Sequence, residues 1–177
     1  MIREKYFDNL KTKMLIWSVL LFVIGGLAHF GFQIFNNNFF IGSIFPVNES
    51  VFEHLKLAFY PLLIWWIVFF LKNKNNPYLS KQNIVVSACV SIFVSMLFIV
   101  SFHYTIEGAF NVSNVILDIS SLYIGLLLGL FCAYLILKSK PIPKWLGYVS
   151  LILIIVWLIA TIFFTYNPPN LPIFIEK

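Results

Sequence analysis

The chain has 177 residues, of which 60% are hydrophobic, 19% aromatic and only 11% charged, and its mean hydropathy is +0.91. Soluble domains carry about a quarter of charged residues, so this composition excludes a water-soluble globule and indicates one integral-membrane domain, residues 1–177. The formal net charge of +5 does not indicate a nucleic-acid partner, because the basic residues flank apolar runs and form no patch.

Five apolar runs predict an all-α fold, a polytopic transmembrane helical bundle in contact with the lipid bilayer. A run of about 20 apolar residues is long enough for a helix to cross a membrane. Polar or helix-breaking stretches separate the runs, as at residues 36–38 and 73–77. The predicted spans are approximately 14–35, 49–71, 83–103, 113–137 and 145–166, and an outer tail occupies 167–177.

The first span, 14–35, carries a histidine near its far end. His29 lies about 24 Å from Lys13 if the helix rises about 1.5 Å per residue. Gly26, His29 and Gln33 recur at the three-to-four-residue spacing of one helical face. This face is predicted to turn toward the interior of the bundle.

The second span opens within FPVNESVFEHLKLAFYP, residues 45–61. The stretch from Pro61 to Lys72 is too short to cross about 30 Å of hydrocarbon, so the helix must begin upstream. Ser50 and Glu53 have the spacing of a capping box, which indicates a helix start here. Pro61 removes one backbone hydrogen bond and predicts a kink.

The third and fourth spans also place ionisable groups far from their basic ends. His103 lies about 30 Å from the polar start of its span, and Asp118 lies about 30 Å from Lys138. Small residues on one face allow two helix backbones to approach closely. On the fourth span that face carries Asp118, Ser121, Gly125 and Gly129. Asp118 is therefore predicted to point into the bundle.

The distribution of basic residues predicts that the N-terminus is inside and the C-terminus outside. Of the 12 basic residues, only Lys56 and Lys177 then fall on the outer side. The inner side holds Arg3, Lys5, Lys11, Lys13, Lys72, Lys74, Lys81, Lys138, Lys140 and Lys144.

The estimated depths predict a polar cluster in the outer half of the bundle. Ionisable groups inside a membrane usually face the interior and pair, because an unpaired charge there costs about 2.5–3.5 kcal/mol or more. The predicted members are His29, Glu53, His54, His103 and Asp118.

This cluster suits a divalent transition metal such as zinc, for which histidines and carboxylates are common ligands. The predicted ligands are His29, His54, His103 and Asp118. A water molecule on the metal would be activated for hydrolysis of a lipid or an amide, with Glu53 and Asp118 as the catalytic groups. The neighbours Glu53 and His54 point about 100° apart on a helix, so both cannot easily bind one ion.

Two other interpretations stay open. In the first, the protein is a ligand-binding or transport component, and Glu49, Glu53 and Asp118 provide counter-charges for a cationic or zwitterionic ligand, either a lipid or a small molecule. In the second, the cluster is structural: Glu53 pairs with Lys56 three residues later, and Glu49 is a first-turn carboxylate favoured by the helix dipole. The oligomeric state is not indicated by the sequence.

Three motifs resemble those of a family of small bacterial multi-pass membrane proteins of unknown function. They are PVNESVFEHLKL at 46–57, His29-Phe30, and PPNLPIF at 168–174, where Ile173 replaces the leucine of the family pattern. The resemblance implies a multi-pass protein of the bacterial cytoplasmic membrane. It assigns no activity and no catalytic residue.

Overall fold

A computed structural model describes residues 2–112 and 114–176, and these residues form helices and no β-strand. Residue Ser113, the predicted first residue of the fourth span, lies outside the described residues, as do Met1 and Lys177. The helices are α1 Ile2–Ala28, α2 Gly31–Ile34, α3 Phe39–Gly42, α4 Val51–His54, α5 Lys56–Asn73, α6 Lys81–Phe110, α7 Val115–Lys138 and α8 Lys144–Tyr166, followed by a 3-10 turn at Pro172–Phe174.

Five stretches of helix in the described residues are long and apolar enough to cross a membrane: α1, α4 with α5, α6, α7 and α8. The all-α architecture with five membrane-capable helices is therefore confirmed, and it fits a multi-pass membrane protein. The helices and the predicted spans differ at their ends, since α1 begins at Ile2 and α6 continues to Phe110. A helix can continue past the hydrocarbon into the interface, so these bounds do not test the span limits.

Contacts between helix termini define two ends of the bundle. At the lysine end, where α1, α6 and α8 begin and α5 and α7 finish, the Arg3 guanidinium donates to the Lys138 carbonyl at 3.2 Å. At the histidine end, the Thr165 hydroxyl donates to the Glu53 carboxylate at 3.1 Å. The order of the helices thus brings His29, His54, His103 and Asp118 to the same end.

Small side chains let α6 and α7 pack closely. A Cβ added at Gly125 would lie 2.9 Å from the Ser95 carbonyl oxygen, and the Ser95 hydroxyl donates to the Gly125 carbonyl at 2.9 Å. Gly129 lies against the backbone of Ser91 in the same way. The face of small residues predicted on the fourth span therefore lies at a helix–helix interface, as expected from its spacing.

The face predicted on the first span does not turn toward the interior of the bundle. Gly26 and Gln33 are exposed, and a Cβ added at Gly26 would meet nothing within 4 Å.

The second span begins as its capping signal predicts. Ser50 is the N-cap of α4, and its hydroxyl accepts from the backbone N–H of Glu53 at 3.4 Å. The helix is interrupted at Leu55, between α4 and α5, and α5 then continues through Pro61. The kink at Pro61 stays a prediction.

Candidate metal site

Two histidines from different segments meet at the histidine end. His29 follows the last residue of α1, and His54 is the last residue of α4. Their rings stack with centroids 5.3 Å apart and an angle of 29° between the planes. The short path through α2 and α3 returns the chain to the end of α1, and this places the two imidazoles side by side.

The tautomer of His54 follows from its partner. Its Nδ1 lies 2.9 Å from the Ser50 carbonyl oxygen, which can only accept a hydrogen bond. Nδ1 must therefore carry the proton in this contact. In the neutral ring, Nε2 then presents a lone pair, which is the arrangement found when histidine binds a metal and its other nitrogen donates to a carbonyl.

The Glu49 carboxylate approaches the Nε2 atoms of both imidazoles. Its Oε2 is 3.3 Å from His54 Nε2, and its Oε1 is 3.7 Å from His29 Nε2. Ligand atoms bound to one tetrahedral zinc ion lie about 3.3 Å apart, because each bond is about 2.0–2.1 Å long. Ligand atoms of His29, Glu49 and His54 all lie within 4.8 Å of one another, and among the described residues this is the one such set of three found.

The site opens toward the surrounding solution. The Glu49 side chain is 58% exposed, whereas the side chains of His29 and His54 are about one-third exposed. An ion held here would have protein on one side and an accessible face on the other. This geometry leaves room for a water molecule or a ligand.

Sequence reasoning did not include Glu49 in the predicted cluster because it treated the residue as part of a helix. Glu49 precedes the N-cap Ser50, and the Asn48 side chain accepts from the Ser50 N–H at 3.0 Å to form a turn. Helical spacing does not determine side-chain directions outside the helix. The signal in the sequence was the position of Glu49 before the helix cap Ser50. Outside the helix, an acid five residues before His54 can approach its ring.

Glu53, a predicted catalytic group, belongs to a buried ion pair. Its carboxylate lies 2.6 Å from the Lys56 ammonium, and their side chains are 3% and 0% exposed. Its Oε2 also accepts from the Val47 N–H at 2.9 Å, and Oε1 accepts from Thr165. Lys56 additionally donates to the Gly42 carbonyl at 2.8 Å. These contacts match the ion-pair interpretation and leave each carboxylate oxygen with a protein donor.

His103 and Asp118, both predicted ligands, contact each other in a separate set. His103 Nδ1 lies 3.1 Å from Asp118 Oδ1, and His103 Nε2 lies 3.5 Å from the Glu107 carboxylate. Asp118 was expected to point into the bundle, but its side chain is 48% exposed. It lies in the first turn of α7, at the rim of the bundle, where the neighbouring helices no longer enclose it.

The predicted five-residue cluster is thus divided into three sets at one end of the molecule. These are His29 with Glu49 and His54, Glu53 with Lys56, and His103 with Glu107 and Asp118. The tail folds back beside them, since the Phe174 ring lies 4.4 Å from that of Phe52 on α4. The depth argument therefore identified the right end but not the partners.

Comparison with known protein families gives a match. A family model described as a family of unknown function (DUF6512) matches residues 2–177. No curated protein and no solved structure matches the chain. The resemblance to a family of unknown function is confirmed over nearly the whole chain.

Proposed function

Since the chain belongs to DUF6512, a family of unknown function, its activity has to be derived from its own residues, and we propose that it is a membrane protein that binds a divalent transition metal ion, such as zinc, through His29, Glu49 and His54. The observation that carries the proposal is the convergence of three ligand atoms within 4.8 Å. This set keeps two of the ligands expected from sequence. It includes Glu49 in place of His103 and Asp118.

The ligand chemistry favours a hydrolytic role. Two imidazole nitrogens and one carboxylate hold the zinc of several hydrolases, in which the remaining position binds water. A bound zinc ion lowers the pKa of that water to about 7 and polarises a substrate carbonyl. At the rim of a bundle in contact with lipid, the corresponding substrate is an ester or an amide that carries an acyl chain.

Asp118 is the candidate general base of this proposal. The Asp118 side chain is 48% exposed, so its carboxylate can accept a proton from water or a substrate. His103 Nδ1 lies against this carboxylate and His103 Nε2 is buried, so Asp118 and not the imidazole faces the solution. Glu53 is less suited to this role because it is buried against Lys56. The predicted catalytic role of Asp118 is thus retained, and that of Glu53 is replaced by a structural one.

A ligand-binding component is the second candidate. The exposure of Glu49 favours exchange of a bound cation with the solution at the histidine end. The middle of the bundle is filled by Ile92, Leu126 and Leu130, each at most 1% exposed. This packing favours binding at one end over transport through a single copy of the chain.

Metal content of the purified protein tests the proposal. Protein isolated without chelator and dialysed against zinc is expected to hold about one ion per chain, whereas His54→Ala and Glu49→Gln lose at least 10-fold in affinity. Binding is also expected to weaken as the pH falls, because imidazole ligands must be deprotonated. His103→Ala is the control and is expected to keep the ion. Equal zinc content in His54→Ala and wild type would contradict the proposed ligands.

Turnover of lipid-linked substrates distinguishes the two candidates. The zinc-loaded protein in detergent is offered fluorogenic acyl esters and acyl amides. Hydrolysis should depend on zinc and fall by about 100-fold or more in Asp118→Asn, the scale of general acid–base catalysis, while the zinc content stays unchanged. Zinc binding without hydrolysis of any of these substrates would favour the ligand-binding component.

A further inference from the structure

A groove at the lysine end has features of a binding site that are independent of the histidines. It lies between α1 and α5 and has a volume of about 470 Å³. Ligand sites in proteins usually measure about 300–1,000 Å³, so the groove is large enough to hold part of an organic molecule. Its lining comes from the first four turns of α1 and the last turns of α5.

The rim of the groove is positively charged. Lys13 and Lys72 line it from opposite helices, and no aspartate or glutamate is among its lining residues. Among the described residues, neither lysine has an aspartate or glutamate oxygen within ion-pair distance. Two ammonium groups without a carboxylate partner are complementary to an anion, and a phosphate group can accept hydrogen bonds from both.

The wall nearer to the middle of the bundle is apolar and aromatic. Trp17 lies four residues, or about one helical turn, beyond Lys13, and Val68 precedes Lys72 by the same interval. The rings of Trp17 and Trp65 are 5.9 Å apart, and Phe69 lies 5.2 Å from Trp65. Charge at the rim and an apolar wall one turn deeper correspond to the headgroup and the acyl chain of a lipid.

From this layering we propose that the groove binds one anionic phospholipid, with its phosphate between Lys13 and Lys72 and an acyl chain against Trp17, Trp65 and Phe69. A free phosphate ion would use only the rim and would gain nothing from the aromatic wall. The acyl chain of a zwitterionic lipid would pack against the wall, but the cation of its headgroup would weaken the attraction between its phosphate and the two lysines. Of these three ligands, the anionic lipid alone uses both parts.

The charge of the rim is tested by lipid titration. Delipidated protein in neutral detergent is titrated with phosphatidylglycerol, with phosphatidylcholine of the same chains and with inorganic phosphate, and thermal stabilisation is measured. Stabilisation by phosphatidylglycerol alone is expected. In Lys13→Ala/Lys72→Ala the affinity should fall by roughly 30-fold, since each lysine near an anionic surface contributes about 1 kcal/mol. The control Lys138→Ala/Lys140→Ala removes the same charge from exposed positions of the lysine end that do not line the groove.

Several outcomes would overturn the proposal. Equal weakening in both double variants would mean that the lysines act only as a diffuse surface charge. Equal stabilisation by phosphatidylcholine would mean that the rim does not select an anion. Stabilisation by inorganic phosphate at the same concentration would assign the site to a soluble anion.

The apolar wall is tested separately by filling it. Val68 lines the groove and is 43% exposed, so Val68→Trp adds volume there while both lysines remain. The affinity for phosphatidylglycerol should fall at least 10-fold. Ile67→Trp is the matched control, because Ile67 is 52% exposed and does not line the groove. Unchanged binding in Val68→Trp would overturn the placement of the acyl chain.

Discussion

A single backbone carbonyl decides what His54 can do. The Ser50 carbonyl accepts from Nδ1 at 2.9 Å, so it fixes both the ring orientation and the nitrogen that remains for a metal. Ser50 is held in place because its own side chain caps α4. Ser50 therefore starts the helix and also orients the His54 ring four residues later. The structural and the chemical role of this residue are compatible.

The ion pair of Glu53 and Lys56 predicts a large loss of stability when one partner is removed. Lys56→Met leaves the Glu53 carboxylate buried without its cation and leaves the Gly42 carbonyl without this donor. Breaking a buried pair in this way costs about 3–5 kcal/mol, whereas removing both charges costs much less. Chemical unfolding in detergent should therefore show a strong destabilisation of Lys56→Met and a partial recovery in Glu53→Gln/Lys56→Met.

The matched control for this pair is Lys81→Met, which removes a lysine from an exposed position at the start of α6. It is expected to change the free energy of unfolding by less than about 0.5 kcal/mol. If Lys56→Met proved as stable as Lys81→Met, the buried pair would have no structural importance.

At the scale of helices, the close interface between α6 and α7 was the feature best predicted from the sequence. Small residues at three- and four-residue spacing define one face whatever the loops do, and the structure confirms close packing at Gly125 and Gly129. The turn at the end of α1 was less accessible to such reasoning. Asn36 and Asn37 adopt φ values of 55° and 56°, and they lie between the short helices α2 and α3. Periodicity carries no information about such a path.

Because α6 and α7 pack closely, we expect an added side chain at Gly129 to be destabilising. In Gly129→Val the new atoms would overlap the Ser91 backbone and the Ser95 side chain, and overpacking of this kind costs about 1–3 kcal/mol. Thermal unfolding in detergent should show a lower melting temperature. Gly26→Val is the control, because a Cβ at Gly26 meets nothing within 4 Å. Similar melting temperatures for the two variants would contradict the close packing.

For the whole molecule, the positive-inside rule predicts that the lysine end faces the cytoplasm and the histidine end faces outward. Five spans then place the two chain termini on opposite sides of the membrane. A reporter that is active only outside the cytoplasm should function when fused after residue 177 and fail when fused before residue 1. The reverse pattern would place the candidate metal site on the cytoplasmic side.

Depth along the helices was predictable, but contacts within one level were not. Counting residues gives the height of each ionisable group, and it brought His29, His54, His103 and Asp118 to the same end. Which of them touch depends on the rotation of each helix and on the path of the loops, which the count does not contain. This is why Glu49, on a loop, was not included in the predicted cluster, while Asp118, on a helix, was grouped with histidines other than its contact partner His103.

The connection between α1 and α4 carries a consequence for the response to metal. It is anchored from within the bundle, because Lys56 donates to the Gly42 carbonyl and Tyr60 donates to the Ser43 carbonyl at 2.6 Å. His29 and Glu49 stand at its two borders, so an ion bound by both would close this connection as a coordinate cross-link. The connection would then be held at both ends by the ion and in its middle by Lys56 and Tyr60. Removal of the ion by a chelator is expected to increase protease cleavage first between residues 30 and 48.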